Sequence, residues 1–253
     1  MTVRIGLDLG STAVKAVILD GDRLLWRGVR PTTPGQEALA SALIDEGLGE
    51  LGLNMTQASE VVSTGYGKKL FTAAPTRVDE ITANAAGAFR LSGGEARVVI
   101  NVGGQDVKVL CLDERGGVTD FKMNDKCAAG TGRFLELAAR ILDAPISDFD
   151  GLAERSTEEV ELNSTCAVFA ESEIVSLLAR GVKREDVIKA LYVSVARRVA
   201  ALVGQAAGVV YLDGGAAVNR GLASALEDEL FTDVRVLDAP QFTVAYGAAL
   251  LAR

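Results

Sequence analysis

Short apolar runs that end in glycine-rich turns alternate with longer segments of helical spacing along this 253-residue chain. An apolar run from Ile5 to Leu9 precedes a glycine turn and a second β-like run, and short strands are also predicted over residues 61–67 and 209–212. Helical spacing marks residues 34–53, 132–142, 167–181, 186–207, 219–230 and 245–251. This alternation predicts an α/β protein.

Two segments repeat at a constant offset of 93 residues. Residues 10–20 align with residues 103–113, sharing the first glycine, a Val-Lys pair and the closing Leu-Asp. Each segment follows an apolar strand and leads into a turn and a third β-like run. Such a duplication implies two related domains that face each other. We expect these domains to span residues 1–93 and 94–253, with the final helix packing back on the first domain.

Composition and charge narrow the functional classes. The chain has 26 Lys and Arg against 34 Asp and Glu, a net charge of −8, which argues against a nucleic-acid binder and against a polybasic membrane patch. The absence of histidine excludes Ser-His-Asp and Cys-His catalysis and every His-ligated metal site. The three cysteines are too few for a disulfide framework. With no signal-peptide shape and no apolar run of the ~20 residues that a membrane span needs, we expect a cytoplasmic protein.

The first glycine turn has the features of a phosphate loop. A glycine-rich turn between two strands exposes backbone N–H groups that cradle phosphate oxygens. Ser11 and Thr12 add hydroxyl donors, Lys15 adds a positive charge, and Asp8 is expected to hold Mg²⁺ through water. One such loop alone fits a plain β-hairpin turn equally well. Two loops at symmetric places, together with the Gly-Gly turn that begins at Gly214, describe a nucleotide cleft between two domains.

Two further positions of the second repeat are interpreted as structural. Lys108 is the repeat equivalent of Lys15, and we expect it to be a solvent-facing strand lysine. Cys111 aligns with Ile18, in a strand interior, so we expect it to pack in the core and to have no ligand role.

The two hairpins and the Gly-Gly turn resemble those of the actin, Hsp70 and sugar-kinase (ASKHA) superfamily of ATPases. The resemblance implies a second phosphate loop formed by Gly103, Gly104, Gln105 and Asp106, and an adenosine-binding turn containing Gly214 and Gly215. Gln105 or Asp106 would position the attacking water. The chain leaves no room for the sugar-binding insertion of the sugar kinases, which favours ATP hydrolysis over transfer to a sugar.

Two cysteines lie just before predicted helices. Cys127 and Cys166 are each flanked by Asn, Ser, Thr or Gly, and a helix start offers free N–H groups and a partial positive charge that stabilise a thiolate. A lone cysteine is usually a small buried hydrophobe, but that explanation is weaker for two cysteines in such polar places. A zinc site or a [4Fe–4S] cluster needs about four thiolates. One chain offers two, so we expect a symmetric homodimer that shares one metal centre.

The segments 124–134 and 164–173 around these cysteines are similar, almost residue for residue, to the ATP-dependent activators of 2-hydroxyacyl-CoA dehydratases, which are grouped with the benzoyl-CoA reductase ATPase subunits. The resemblance extends over essentially the whole chain. It implies a homodimer with one [4Fe–4S] cluster bridged by Cys127 and Cys166 of both chains, and MgATP bound to each chain. The implied nucleotide contacts are Ser11, Thr12, Ala13, Val14, Lys15, Gly103, Ala217 and Gln241.

The chemistry implied by this resemblance is electron transfer driven by ATP. Ferredoxin or flavodoxin would donate an electron that passes to a 2-hydroxyacyl-CoA dehydratase or a related double-cluster reductase. The second phosphate loop ends only 21 residues before Cys127, so ATP turnover could reach the cluster through the helices that start at the cysteines. Two alternatives remain open at this point: a small-molecule kinase of the same superfamily, and a non-enzymatic dimerising ATP-binding module that holds zinc.

Overall fold

The computed structural model describes residues 2–124, 128–163, 167–205 and 208–252. The chain divides into two compact units, each built from separate stretches of sequence. The first unit comprises Met1–Ala96, Leu112–Thr119 and Leu237–Arg253, and the second comprises Arg97–Cys111 and Asp120–Val236.

The first unit is built around a mixed five-stranded sheet of order β3-β2-β1-β4-β5. Its elements are β1 (Val3–Leu9), β2 (Ala13–Asp20), β3 (Arg23–Pro31), α1 (Gln36–Glu50), β4 (Ala58–Thr64), β5 (Thr76–Arg77), α2 (Glu80–Leu91) and, near the end of the sequence, α8 (Thr243–Leu250). The strands β1, β2 and β3 are antiparallel neighbours, whereas β4 runs parallel to both β1 and β5.

The sheet of the first unit is covered on both faces. Ile5 and Leu7 of β1 pack in one cluster with Leu43 of α1, while Val17 of β2 packs in another with Ala245 of α8. Two-sided burial explains why the first strands read as continuous apolar runs rather than as an alternating pattern.

The second unit repeats the strand order of the first. Its elements are β6 (Val98–Val102), β7 (Val107–Leu112), β8 (Val118–Met123), α3 (Gly132–Ile141), α4 (Phe149–Ala153), α5 (Ala167–Ala179), α6 (Arg184–Val203), β9 (Val210–Asp213), α7 (Arg220–Leu230) and β10 (Val234–Val236). The last residue of β7 and the first two residues of β8 belong to the stretch Leu112–Thr119 that is counted with the first unit. The sheet order β10-β9-β6-β7-β8 is the order β5-β4-β1-β2-β3 carried over to the second copy. The duplication predicted from the offset of 93 residues is therefore present in the fold.

The predicted helices are found, with shifts at their ends. The helix expected over residues 186–207 runs from Arg184 to Val203, because Gly204 adopts φ +70° at its end. Helix α2 was not predicted. Cys111 lies inside β7 as expected, and it is half-buried there. Across the described residues, no helix combines the length and the apolar character that a bilayer crossing needs.

Candidate functional site

The turn between β1 and β2, hereafter hairpin 1 (residues 9–13), is held in place by hydrogen bonds that its carbonyl groups accept from residues distant in the sequence. The Gly67 N–H donates to the Leu9 carbonyl at 2.9 Å. The Gly10 carbonyl accepts from Thr32 Oγ1 at 2.8 Å and from Gln36 Nε2 at 3.1 Å. These partners, which lie far away in sequence, hold the hairpin carbonyls from within the first unit. Gln36 and Thr32 were not predicted, because no local pattern marks a side chain that supports a distant turn.

The other edge of hairpin 1 presents hydrogen-bond donors. The Gly10 N–H donates to the Ala13 carbonyl at 3.1 Å and closes the turn. Within the part of the chain that the structure describes, neither the N–H group nor the hydroxyl of Ser11 or Thr12 donates a hydrogen bond. Val14 is buried in the core, so only its backbone is available to a ligand. Such a set of open donors on a tight turn suits an anion.

A buried carboxylate stands beside this turn. Asp8 is only 3% exposed, and its Oδ2 accepts from Lys15 Nζ at 2.8 Å. Its Oδ1 has no hydrogen-bond partner among the described residues, and neither has Oγ1 of Thr64, which pairs with Asp8 across β1 and β4. A Cβ atom on Gly65 would lie 2.6 Å from Asp8 Oδ1. A buried, unbonded carboxylate oxygen is costly. A hydroxyl and a carboxylate oxygen are ligands that Mg²⁺ and its waters accept, so these residues fit the predicted Mg²⁺.

The turn between β6 and β7, hereafter hairpin 2 (residues 102–107), has the same closing bond, from the Gly103 N–H to the Asp106 carbonyl at 2.9 Å. Gln105 is exposed at its tip and Gly104 is half-buried. Lys108 Nζ lies 2.7 Å from Asp106 Oδ1, and Lys108 is only 4% exposed. The prediction of a solvent-facing Lys108 is therefore wrong. The carboxylate two residues earlier neutralises the ammonium group and allows its burial.

The repeat equivalent of Asp8 is Asn101, which has a different partner. Asn101 Nδ2 donates to Asp213 Oδ1 at 2.6 Å, and both residues are buried. Asp213 ends β9, so the amide links the ends of two neighbouring parallel strands. Sequence reasoning did not single out Asn101, although the offset of 93 residues was a sufficient signal to find it.

The predicted adenosine turn follows directly after β9. Gly214 has φ +93°, and a Cβ atom there would lie 2.4 Å from the Val102 carbonyl oxygen, so only glycine fits. Gly215 is exposed and Ala217 is buried within the short helical turn Gly215–Val218. The turn therefore packs against the last residue of β6, which leads into hairpin 2.

A network of hydrogen bonds around Asp150 supports this turn. Asp150 of α4 accepts hydrogen bonds from the Arg220 and Gly221 N–H groups at 2.8 and 3.0 Å, which caps the start of α7. The Tyr192 hydroxyl donates to Asp150 at 2.8 Å. Burial raises the pKa of Tyr192, and the bond to Asp150 raises it further, so the hydroxyl stays a donor. Asn219 Nδ2 then ties α7 to the Ala216 carbonyl at 3.1 Å. This network fixes the Gly214 turn relative to α4 and α6.

The remaining predicted site residues lie elsewhere or outside the described residues. Gln241 is half-buried in the turn Pro240–Phe242 that precedes α8 in the first unit. Cys127 and Cys166 lie outside the described residues. Within the described ranges, no group of three or more Cys, Asp or Glu residues is placed to hold a metal ion.

Comparisons with known proteins agree with these features. The sequence profile of the BadF/BadG/BcrA/BcrD ATPase family matches residues 5–252. The chain is 43% identical over 251 residues to the activator of lactoyl-CoA dehydratase from Anaerotignum propionicum, covering 98% of this chain and 96% of that protein. A solved structure, the activator of the 2-hydroxyisocaproyl-CoA dehydratase from Clostridium difficile with bound ADPNP, has a TM-score of 0.95 and 40% identity, and covers 99% of this chain and 94% of that one.

A more distant likeness bears on the fold alone. A ROK family glucokinase from Streptomyces griseus, solved with glucose and AMPPNP, has a TM-score of 0.64 at 16% identity and covers 99% of both chains. The predicted fold class, the α/β fold of the actin-like ATPases and sugar kinases, is confirmed. With the two repeated units in place and a profile match over almost its full length, the chain belongs to the BadF/BadG/BcrA/BcrD ATPase family.

Proposed function

We propose that this chain is the ATP-hydrolysing iron–sulfur activator of a 2-hydroxyacyl-CoA dehydratase, to which it transfers a low-potential electron from ferredoxin or flavodoxin. The observation that carries the proposal is the 43% identity, over 98% of the chain, to the activator of lactoyl-CoA dehydratase. The open donors of hairpin 1 and the buried Asp8 support ATP as the energy source.

In this proposal the first unit holds the phosphates. The N–H and hydroxyl groups of Ser11 and Thr12 donate to phosphate oxygens, and Lys15 adds charge while it keeps Asp8 in place. Asp8 and Thr64 would hold Mg²⁺ through water, and the ion would supply positive charge to the phosphates. Glycine at residue 65 leaves space beside Asp8 Oδ1.

The second unit supplies the residues for hydrolysis. Gln105 or Asp106 orients a water molecule whose oxygen bonds to the γ-phosphorus, while the bond from that phosphorus to the bridging oxygen breaks and ADP leaves with the oxygen. The ion pair with Lys108 fixes the Asp106 carboxylate within hairpin 2. The Gly214 turn and Ala217 take the adenosine, and Gln241 is proposed as a further nucleotide contact.

The cysteines supply the metal ligands in this proposal. Cys127 and Cys166 of two chains give four thiolates, the number that a [4Fe–4S] cluster takes. When bound, that cluster supplies one-electron transfer at low potential. Helix α5 begins at Ala167, directly after Cys166, and its N-terminal dipole favours a thiolate at that place. The centre would be shared across a homodimer, and the dehydratase would be the electron acceptor.

The test is purification without oxygen, followed by iron analysis, absorption and electron paramagnetic resonance spectra before and after dithionite, and ATP-dependent activation of a 2-hydroxyacyl-CoA dehydratase. We expect a dimer with a reducible cluster that Cys127→Ser or Cys166→Ser removes and that the matched Cys111→Ser leaves intact. Colourless, redox-silent protein containing zinc would overturn the proposal in favour of a zinc-holding module. A phosphorylated small molecule in place of free phosphate would indicate a kinase.

A further inference from the structure

One asparagine holds the end of β8 to hairpin 2. Asn124 Oδ1 accepts from the Val107 N–H at 2.7 Å, and the Asn124 N–H donates to the Val107 carbonyl at 3.0 Å. The side-chain oxygen thus takes the place of a main-chain carbonyl in the ladder between β7 and β8. Val107 directly follows Asp106. Asn124, three positions before Cys127, is therefore bonded to Val107, which follows the proposed water-positioning residue Asp106.

A second attachment joins the start of α3 to the same hairpin. The Gly132 N–H donates to the Gly103 carbonyl and the Arg133 N–H to the Gly104 carbonyl, both at 2.9 Å. These are N–H groups of the first helical turn, which have no partner inside the helix. A Cβ atom on Gly132 would lie 3.2 Å from the Gly103 carbonyl oxygen, so glycine permits this close approach. Both flanks of residues 125–127 are thus bonded to hairpin 2.

We propose that hairpin 2 and the residues on either side of the Cys127 segment, residue 124 and residues 128–133, shift together when nucleotide binds. Asn124 is the positioning residue that joins the first of these flanks to the hairpin. The inference deepens the proposed function and rests on it for the identity of the nucleotide. A phosphate that contacts residues 103–106 would shift the main chain of hairpin 2, which takes part in all four of these hydrogen bonds. A change in hairpin 2 therefore displaces residue 124 and the start of α3 together.

Asn124 is the attachment that substitution can remove. The bonds from α3 use main-chain groups, which side-chain changes leave in place, whereas Asn124→Ala deletes the acceptor of the Val107 N–H. Asn124→Asp keeps an acceptor oxygen of the same shape. The chain also offers a matched control, because Asn163 stands three residues before Cys166 and its described hydrogen bond, to Glu173 Oε1, uses its main-chain N–H.

Hydrogen–deuterium exchange of the full chain, with and without the ATP analogue ADPNP, tests the coupling. In the wild type we expect ADPNP to slow exchange over residues 103–107 and over residues 124 and 128–133. In Asn124→Ala, residues 103–106 and residues 128–133 keep their responses because their bonds are main-chain, while the response of residue 124 falls at least about threefold, as one hydrogen bond of ordinary strength permits. Asn124→Asp and Asn163→Ala keep both responses.

Two results would overturn the inference: a wild-type response confined to residues 103–107, or a full response of residue 124 in Asn124→Ala. If Asn124→Ala does not fold, Gly132→Ala is the second variant: its added Cβ atom crowds the Gly103 carbonyl oxygen and is expected to weaken the response of residues 128–133. Exchange does not require the cluster. Protein that binds no iron but shows the coupled response would contradict the proposed function alone. Protein that activates a dehydratase without the coupled response would contradict this inference alone.

Discussion

Hairpin 1 and hairpin 2 begin from the same sequence pattern and differ in the carboxylate that their lysines contact. In hairpin 1, Lys15 pairs across the strands with Asp8, whose second oxygen has no hydrogen-bond partner among the described residues. In hairpin 2, Lys108 turns to Asp106 in the turn itself. The strand position that corresponds to Asp8 is the uncharged Asn101.

This difference shows how two copies of one hairpin can take different roles in the same reaction. In the proposed function, the carboxylate at the end of the strand in hairpin 1 holds the cation, and the carboxylate in the turn of hairpin 2 lies beside the incoming water. The neutral Asn101 is then used to bind Asp213 of the neighbouring strand. In the proposed function, the first copy holds the metal and phosphates and the second copy positions the nucleophile.

The two hairpins also differ in what holds their carbonyl groups. Side chains of the first unit, Thr32 and Gln36, bond the Gly10 carbonyl, whereas main-chain N–H groups of α3 bond the carbonyls of Gly103 and Gly104. Hairpin 1 is therefore fixed to its own core, and hairpin 2 is fixed to the helix that follows the Cys127 segment.

The largest expected effect comes from removing the charge that is specific to hairpin 1. Asp8→Asn deletes the anion that pairs with Lys15 and that holds Mg²⁺ in the proposed function. We expect steady-state ATP hydrolysis to fall about 100-fold, the scale of losing one preorganised electrostatic contact. Asp20→Asn, at the opposite end of the same strand pair, is the control and stays near the wild-type rate. Hydrolysis by Asp8→Asn within threefold of wild type would contradict the assignment.

The next effect tests the carboxylate of hairpin 2. Asp106→Asn keeps the shape of the side chain but removes its charge, so we expect the hydrolysis rate to fall about 30-fold, as for loss of a water-orienting group. Nucleotide affinity, measured by calorimetry, stays within about threefold because Asp106→Asn leaves the phosphate donors of hairpin 1 and the main-chain N–H groups of hairpin 2 in place. A loss of affinity as large as the loss of rate would mean that Asp106 binds nucleotide rather than water.

A stability effect follows from making hairpin 2 resemble hairpin 1. Asn101→Asp places two carboxylates where a 2.6 Å hydrogen bond now joins Asn101 to Asp213. Repulsion favours binding of a proton in the folded state, so the penalty is present above the ordinary aspartate pKa of about 4 and fades below it. We expect a loss of about 2 kcal/mol in the free energy of unfolding at pH 8 and a smaller loss at pH 4.

Denaturant titrations at the two pH values measure this penalty, with the exposed Asn163→Asp as the matched control. An equal loss at both pH values would show that packing, and not charge, separates the two copies at this position. No loss at either would show that Lys108 has moved from Asp106 to the new carboxylate.

The smallest effect concerns the support of hairpin 1. Gln36→Leu removes one of the two side-chain bonds to the Gly10 carbonyl, and Thr32 remains, so we expect a loss of about 1 kcal/mol in the free energy of unfolding. Arg133→Ala is the counterpart in hairpin 2, where the donor is the main chain, and thermal unfolding should change little. A large loss of stability in Arg133→Ala would contradict the conclusion that side chains support hairpin 1 and main-chain groups support hairpin 2.

The sequence predicted the parts of the site that local pattern encodes. Glycine between two apolar strands, repeated with the same Val-Lys pair, was enough to locate both hairpins and the fold class. The burial of Lys108 was not predicted, because it depends on the direction of one side chain toward Asp106. Gln36 and Thr64 reach the site from 26 and 56 residues beyond Gly10 and Asp8, and no periodicity carries such contacts.

The packing of α8 on the first unit has a consequence for biosynthesis. Val17 and Leu19 of β2 complete their apolar contacts with Ala245 and Ala249, which leave the ribosome more than two hundred residues later. Most of the second unit emerges before that point and can collapse around its own core during translation. Until α8 is synthesised, the apolar face of the first sheet that α8 covers stays exposed. Nascent chains arrested before residue 243 would therefore expose an apolar surface that chaperones bind.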